Sequence, residues 1–162
     1  MVILGIDPGL ASTGFGAITF NSNNRPSLLK CGCIKTSAGL HISSRLAQIY
    51  NDIEYIIKSI NPGLVAIENI FSLVRYPKAG ILLGGVLGII HLSVFQNNIQ
   101  LVEITPKEVK SSLVGYGSAN KKQIKEATQK ALKISEISSF HSADALAIAL
   151  TAYYRKSYRE IK

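Results

Sequence analysis

Three of the ten acidic residues in this chain, Asp7, Glu68 and Asp144, lie inside strongly apolar segments. Moving a carboxylate out of water is costly unless hydrogen bonds, a cation or a metal ion compensates it. Asp7 closes the run Val2-Ile3-Leu4-Gly5-Ile6, and Glu68 closes Leu64-Val65-Ala66-Ile67. Asp144 stands three residues after His141, at the head of Ala145-Leu146-Ala147-Ile148-Ala149. A spacing of three puts His141 and Asp144 on one face of a helix. If the two strands are neighbours, Asp7 and Glu68 lie about 5 Å apart, the spacing between strands. Three carboxylates and one imidazole make an oxygen-rich donor set that suits magnesium or manganese. Each residue also has a local alternative. Asp7 would cap the Pro8-Gly9 turn, Glu68 would pair with a lysine, and His141 and Asp144 would cap a helix or pair with each other. Taken together, the group leaves several buried carboxylates without an obvious internal cation. A divalent metal explains that crowding and capping does not.

The elements that must position these groups follow from hydrophobic period and turn chemistry. Val2 to Ile6 reads as a strand buried on both faces. Gly14 to Phe20 and Leu28 to Thr36 read as two further strands of an antiparallel meander, separated by the polar turn Asn21-Ser22-Asn23-Asn24-Arg25-Pro26. Apolar residues at helical spacing predict a helix over 42–60, stopped by Asn61-Pro62-Gly63. Leu64 to Glu68 follows as a strand parallel to an earlier one. A helix from about Pro77 to Phe95 carries Gly80, Gly84 and Gly88 on one stripe. Each glycine costs about 1 kcal/mol relative to alanine, so close approach of another element is the expected reason. Sequence leaves open whether that element is internal or a second copy of the chain. Gln100 to Ile104 reads as a fifth strand, and Thr105-Pro106-Lys107-Glu108 opens a helix with a capping box. After the loop Val114 to Asn120 comes a helix from about Lys121 to Leu132, and a last helix from near His141 through Tyr154. A mixed sheet with helices on its faces, in one domain spanning 1–162 with a basic tail at about 156–162, is the architecture this order implies.

The net charge of +8 favours a polyanionic partner. With 47% hydrophobic and 17% charged residues, the chain is not disordered in character. The apolar run Ala79 to Leu92 is expected to be too short and too glycine-interrupted to span a bilayer, so no membrane partner is expected. The start shows no basic leader or cleavage pattern, which gives the expectation of a cytoplasmic protein. Cys31 and Cys33 share a strand face and read as buried small side chains in a reducing compartment.

Gly5-Ile6-Asp7-Pro8-Gly9, Ala66-Ile67-Glu68 and His141-Ser142-Ala143-Asp144-Ala145-Leu146-Ala147-Ile148-Ala149 resemble RuvC, the bacterial Holliday junction resolvase family. Val114-Gly115-Tyr116-Gly117-Ser118-Ala119-Asn120-Lys121 is similar to that family's glycine-containing loop before a basic helix. The resemblance runs through nearly the whole chain in order. It implies an α/β, ribonuclease-H-like fold: a five-stranded mixed sheet with helices on both faces. It implies a homodimer that resolves four-way DNA junctions in recombination and repair by two symmetric, metal-dependent nicks, leaving 5′-phosphate and 3′-hydroxyl ends. By motif Asp7, Glu68 and Asp144 fall on the family's catalytic, metal-binding carboxylates, and His141 on a position that is aspartate in some members and histidine in others. Two Mg2+ per subunit, with Mn2+ as a substitute, would bracket the scissile phosphate about 4 Å apart. Asp7, on the central strand, is the expected shared ligand. Partners implied are four-way junction DNA and a branch-migration complex of RuvA and RuvB.

The resemblance also assigns DNA contacts. Seven lysines against three acids lie between Leu101 and Lys133. Lys110 and Lys121 flank the glycine loop and match backbone-contacting positions, and Lys122 and Lys125 extend the basic helix. Phe71 matches an aromatic position that stacks on an unpaired base near the crossover. The run Ser72 to Gly80 and Val86-Leu87-Gly88 depart from the family pattern, so contacts in that helix do not carry over. The rival classes are a nuclease of the same fold acting on RNA and a junction-binding protein without catalysis. A nucleotide-binding domain of the sugar-kinase type shares the opening strand and turn, but it needs two such domains and this chain has one.

Overall fold

At the centre of the computed structural model lies β1 (Ile3–Asp7); the structure describes residues 1–20, 23–69 and 77–160, the last five as backbone only. The five-stranded sheet has the order β3-β2-β1-β4-β5. β2 (Ser12–Phe20) pairs antiparallel with β1 and with β3 (Pro26–Lys35), while β4 (Leu64–Glu68) runs parallel to both β1 and β5 (Gln100–Ile104). α1 (Ile42–Ile60) and α2 (Pro77–Gln96) cover one face. α3 (Pro106–Val114), α4 (Lys121–Leu132) and α5 (Phe140–Glu160) cover the other.

Strand alternation decides which way the carboxylates face. On β1, Leu4 and Ile6 enter the apolar core beneath α1 and α2, whereas Ile3 enters the core beneath α5. On β4, Val65 and Ile67 go to the first core and Leu64 and Ala66 to the second. By the same alternation Asp7 and Glu68 both point toward α5. Three glycines let α5 settle that close. A Cβ built at Gly5 would collide with the Ala145 carbonyl, one at Gly14 with the His141 carbonyl, and one at Gly16 with the Leu146 side chain. The helix thus rests directly on backbone, which brings its first turn over the end of β1.

α1, β4, β5, α3 and α4 fall on the residues expected from sequence. The Thr105–Glu108 capping box is present, with Thr105 Oγ1 accepting from the Glu108 amide and Glu108 Oε2 accepting from the Thr105 amide. Asn120 and Gln123 form a second box that opens α4. α5 starts at Phe140, one residue before the expected position, because Ser139 Oγ accepts from the Ser142 amide (3.0 Å).

α2 decides one question the sequence leaves open and corrects one expectation. Gly84 and Gly88 do not serve internal packing: Cβ atoms built there would meet nothing within 4 Å, whereas one at Gly85 would lie 3.6 Å from Leu46. Nor does the apolar run end at Leu92; the helix spans 20 residues and by length and composition is long and apolar enough to cross a membrane. The glycines within the run do not interrupt the helix. Only 22% of that stretch is buried. The inner side is fixed on α1 by a polar clamp, in which the Glu54 carboxylate accepts from Ser93 Oγ and from Asn97 Nδ2 (2.8 Å) and pairs with Lys58 (3.0 Å). The clamp holds the Glu54 carboxyl below its ordinary pKa, chiefly through the Ser93 hydrogen bond. It also fixes the rotation of α2, leaving Ile81, Leu82, Leu92 and Phe95 exposed.

Candidate metal and nucleic-acid site

β1 and β4 run parallel with Ile6 opposite Ile67, so Asp7 and Glu68 follow one step beyond this pair. The turn after Asp7 is held by Thr13, not by Asp7 itself. The fully buried Thr13 Oγ1 donates to the Gly9 carbonyl (2.7 Å) and accepts from the Gly9 amide (3.4 Å). Thr36 Oγ1 donates to the Leu10 carbonyl (2.6 Å), and Arg45 Nε donates to Thr36 Oγ1 (2.8 Å). With the turn anchored in this way, the Asp7 carboxylate is released from local capping.

From α5, His141 and Asp144 descend onto this strand end. His141 Nδ1–H donates to Asp7 Oδ2 at 2.8 Å, which leaves Nε2 unused by that bond. Lys121, at the first position of α4, donates to Asp144 Oδ2 at 3.3 Å. The expected lack of an internal cation is therefore corrected: Lys121 supplies one, though it is 71% exposed and its contact is screened. Among the described residues Glu68 has no ion-pair partner. Burial, then the charges of Asp7 and Asp144, push its carboxyl from 4.5 up to about 7. The Asp7 carboxyl is also raised, mainly by burial, against the lowering effect of the His141 hydrogen bond.

Asp7, Glu68 and Asp144 line one cleft of about 400 Å³, together with Lys110, Asn120 and Lys121. His141 stands beside it, bonded to Asp7. Among the described residues no three His, Cys, Asp or Glu side chains close around a single point. The donor chemistry nonetheless fits a divalent ion, since Asp7 and Glu68 are buried carboxyls, both raised by burial and by the neighbouring Asp144 charge, and are the groups a cation would relieve. Among the described residues the competing local roles are not seen: Asp7 does not cap its turn, Ser139 caps α5, and His141 and Asp144 bond to other residues. A larger cavity of about 600 Å³ lies along α5 beyond this cleft, lined by Glu108, Ser112, Ala131, Thr151, Tyr154 and Arg155 and by none of these carboxylates.

Of the four lysines singled out from sequence, Lys110 and Lys121 line the cleft. Lys122 instead faces Glu126 (3.9 Å), and Lys125 lies over the Phe140 ring (5.2 Å to its centre). Phe71 lies outside the described residues. Sequence reading passed over Phe140 because it set the helix start at His141; the signal was Ser139, a capping residue placed one position before it.

The raised Glu68 carboxyl has a measurable consequence. In the metal-free protein the folded chain holds this proton more tightly than the unfolded chain does. Stability from this group is therefore lost as pH rises from 4.5 toward about 7. Glu68→Gln removes the ionisation, so its melting temperature, followed by circular dichroism in chelator, should exceed wild type by a few degrees at about pH 8 and match it at about pH 5. The same Tm difference at both pH values would show that Glu68 is not raised.

A mixed sheet whose parallel strand ends present carboxylates beneath a C-terminal helix is the ribonuclease-H-like fold. Residues 3–152 match the family model described as crossover junction endodeoxyribonuclease RuvC. The chain is 40% identical over 151 residues to the crossover junction endodeoxyribonuclease RuvC of Caldicellulosiruptor saccharolyticus, covering 93% of this chain and 90% of that protein. The Thermus thermophilus RuvC structure superposes with a TM-score of 0.87 at 30% identity, over 98% of this chain and 97% of that one. T. thermophilus RuvC in complex with Holliday junction substrate gives the same TM-score at 28% identity, over 97% and 96%. The chain belongs to the RuvC family of crossover junction endodeoxyribonucleases.

Proposed function

We propose that this protein is a Holliday junction resolvase, a homodimeric nuclease that cuts four-way DNA inside the cell. Each subunit nicks one strand by metal-assisted hydrolysis, leaving 5′-phosphate and 3′-hydroxyl ends. The single observation that carries the reading is the cleft shared by Asp7, Glu68 and Asp144 with Lys110 and Lys121, in a chain of this family. Asp7, Glu68 and Asp144, with His141 through Nε2, would hold two Mg2+ per subunit, Mn2+ serving as a substitute. Divalent ions held there supply Lewis-acid stabilisation of the phosphate and activation of water.

The side chains have separable tasks. Asp7, on the rigid central strand, gives the cluster its fixed point. His141 orients Asp7 through its Nδ1–H, as partners of metal-binding carboxylates do. Lys121 neutralises Asp144 in the free protein and is placed to exchange that contact for a DNA phosphate when the substrate arrives. Lys110, on the same wall, adds a second phosphate contact. Phe71 would stack on an unpaired base, and Lys122 and Lys125 would extend the backbone contacts along α4. Engagement by the branch-migration proteins RuvA and RuvB belongs to the same reading and is carried by family membership alone.

The outward face of α2 supports the homodimer. Ile81, Gly84, Gly88, Leu92 and Phe95 recur at helical spacing on it; Ile81 and Phe95 are 76% and 79% exposed, and open space stands over the two glycines. Two copies of such a stripe can approach closely, which accounts for glycines that internal packing leaves unexplained. Ile81→Glu with Phe95→Glu is expected to convert a dimer into a folded monomer in sedimentation velocity, and paired nicking would then lose its coordination. An unchanged dimer would place the interface elsewhere.

Substrate class is tested by incubating the protein and Mg2+ with a synthetic four-way junction, a linear duplex and an RNA–DNA hybrid of the same sequence. Cleavage of the junction alone is expected. Cleavage of the hybrid would move the protein to a ribonuclease, and tight junction binding without nicks would make it a binding protein.

A further inference from the structure

Lys121 and Lys125 are four residues apart on α4, and Phe140 and Asp144 are four apart on α5, so each pair occupies one helix face. The two faces meet as two rungs. Lys121 Nζ reaches Asp144 Oδ2 (3.3 Å), and one turn along, Lys125 Nζ lies 5.2 Å from the centre of the Phe140 ring. The row of positive charge that begins in the carboxylate cleft therefore leads, in one helical turn, to an aromatic ring. Phe140 is 52% exposed, although it sits on a helix whose next residues bury into the core. Nothing in the packing of α5 requires an aromatic there, because the adjacent core is completed by Ala143, Leu146 and Ala147.

A half-exposed ring with a lysine over it, one turn from a cleft that takes a phosphate, has the chemistry of a nucleotide subsite. The ring offers a flat apolar face to a base, and the ammonium offers a charge to the backbone linking that base to its neighbour. We infer that Phe140 is a base-stacking platform at the rim of the carboxylate cleft, holding a nucleotide near the phosphate that is cut, with Lys125 as the partner of that nucleotide's backbone. The inference rests on the junction-resolving reading and extends it by naming a specificity contact. Stacking tolerates any base but demands that it be unpaired or splayed. Phe140 would thus select strands opened at a junction centre over intact duplex.

The test uses the full-length protein in chelator, so that no strand is cut, with junctions carrying 2-aminopurine at successive positions around the crossover. Anisotropy reports binding and 2-aminopurine fluorescence reports stacking. One position is expected to be quenched on binding by wild type and by Phe140→Tyr. In Phe140→Leu, which keeps the apolar bulk, that quenching should vanish and junction affinity should fall about tenfold, the scale of one lost base stack. Lys125→Gln should weaken binding and flatten its salt dependence while some quenching persists. Equal quenching by wild type and Phe140→Leu at every position, or none by wild type when bound, would overturn the inference. Quenching that depends on Phe140 in a wild-type protein that cuts no junction with Mg2+ would support the platform and sink the nuclease reading, so the two failures are distinguishable.

Discussion

Asp7→Asn should cut single-turnover junction cleavage by at least about 10²–10³-fold, the range for removing one preorganised charge from a transition state. The substitution keeps the shape of the side chain and changes its charge. The turn beneath it is held by Thr13 and Thr36, so the loop should not move. An asparagine can still meet His141 Nδ1–H through its amide oxygen, so local packing persists. Junction binding, which the proposed reading assigns to the lysines of the cleft wall and α4, should therefore stay near wild type or tighten as repulsion between carboxylate and phosphate falls. The check is a rapid-quench cleavage course beside an anisotropy titration on one protein preparation. A variant that cuts at a wild-type rate would remove Asp7 from the site. One that loses binding and cleavage together would point to misfolding.

The second large effect is on stability. Gly5→Ala adds a single methyl group, yet its Cβ would collide with the carbonyl oxygen of Ala145 and press on the Ala149 amide. Both obstacles are backbone of a buried helix, so neither can rotate away. Overpacking of this kind costs about 3 kcal/mol at the upper end of its usual range. For a chain of this size that lowers Tm by roughly 6–12 °C. The displacement is also directed, because lifting α5 carries His141 and Asp144 off the end of β1. Cleavage should fall further than the fraction unfolded accounts for. Thermal melts with activity assays well below Tm separate the two contributions, and a Tm within about 1 °C of wild type would show that α5 does not rest on β1 as described.

What was readable from sequence and what was not divide along physical lines. Period and capping are local, so Ile42–Ile60, Leu64–Glu68 and Lys121–Leu132 emerged with their bounds. Asp7 and Glu68 were legible because a carboxylate ending an apolar strand is conspicuous in one dimension. The contacts between elements were not legible. Sequence could not reveal that Lys121 reaches Asp144, since they lie 23 positions apart and meet only because α4 packs on α5. The same holds for His141, whose spacing to Asp144 suggested a shared ligand face, while its bond goes to Asp7, 134 positions away. The α2 glycines posed a question that only the fold answers. Their stripe was visible, but which side faced out depended on the clamp between Glu54 and Ser93, a tertiary contact.

The most direct measurement is the character of the cut. A four-way junction with each strand labelled in turn would be incubated with wild-type protein and Mg2+, the products mapped at nucleotide resolution and then treated with DNA ligase. Two nicks at symmetry-related positions, both resealed by ligase without further processing, are the expected result, since ligase requires a 5′-phosphate beside a 3′-hydroxyl. A cut in one strand only, ends that ligase cannot join, or cleavage that persists with Asp7→Asn would contradict the account.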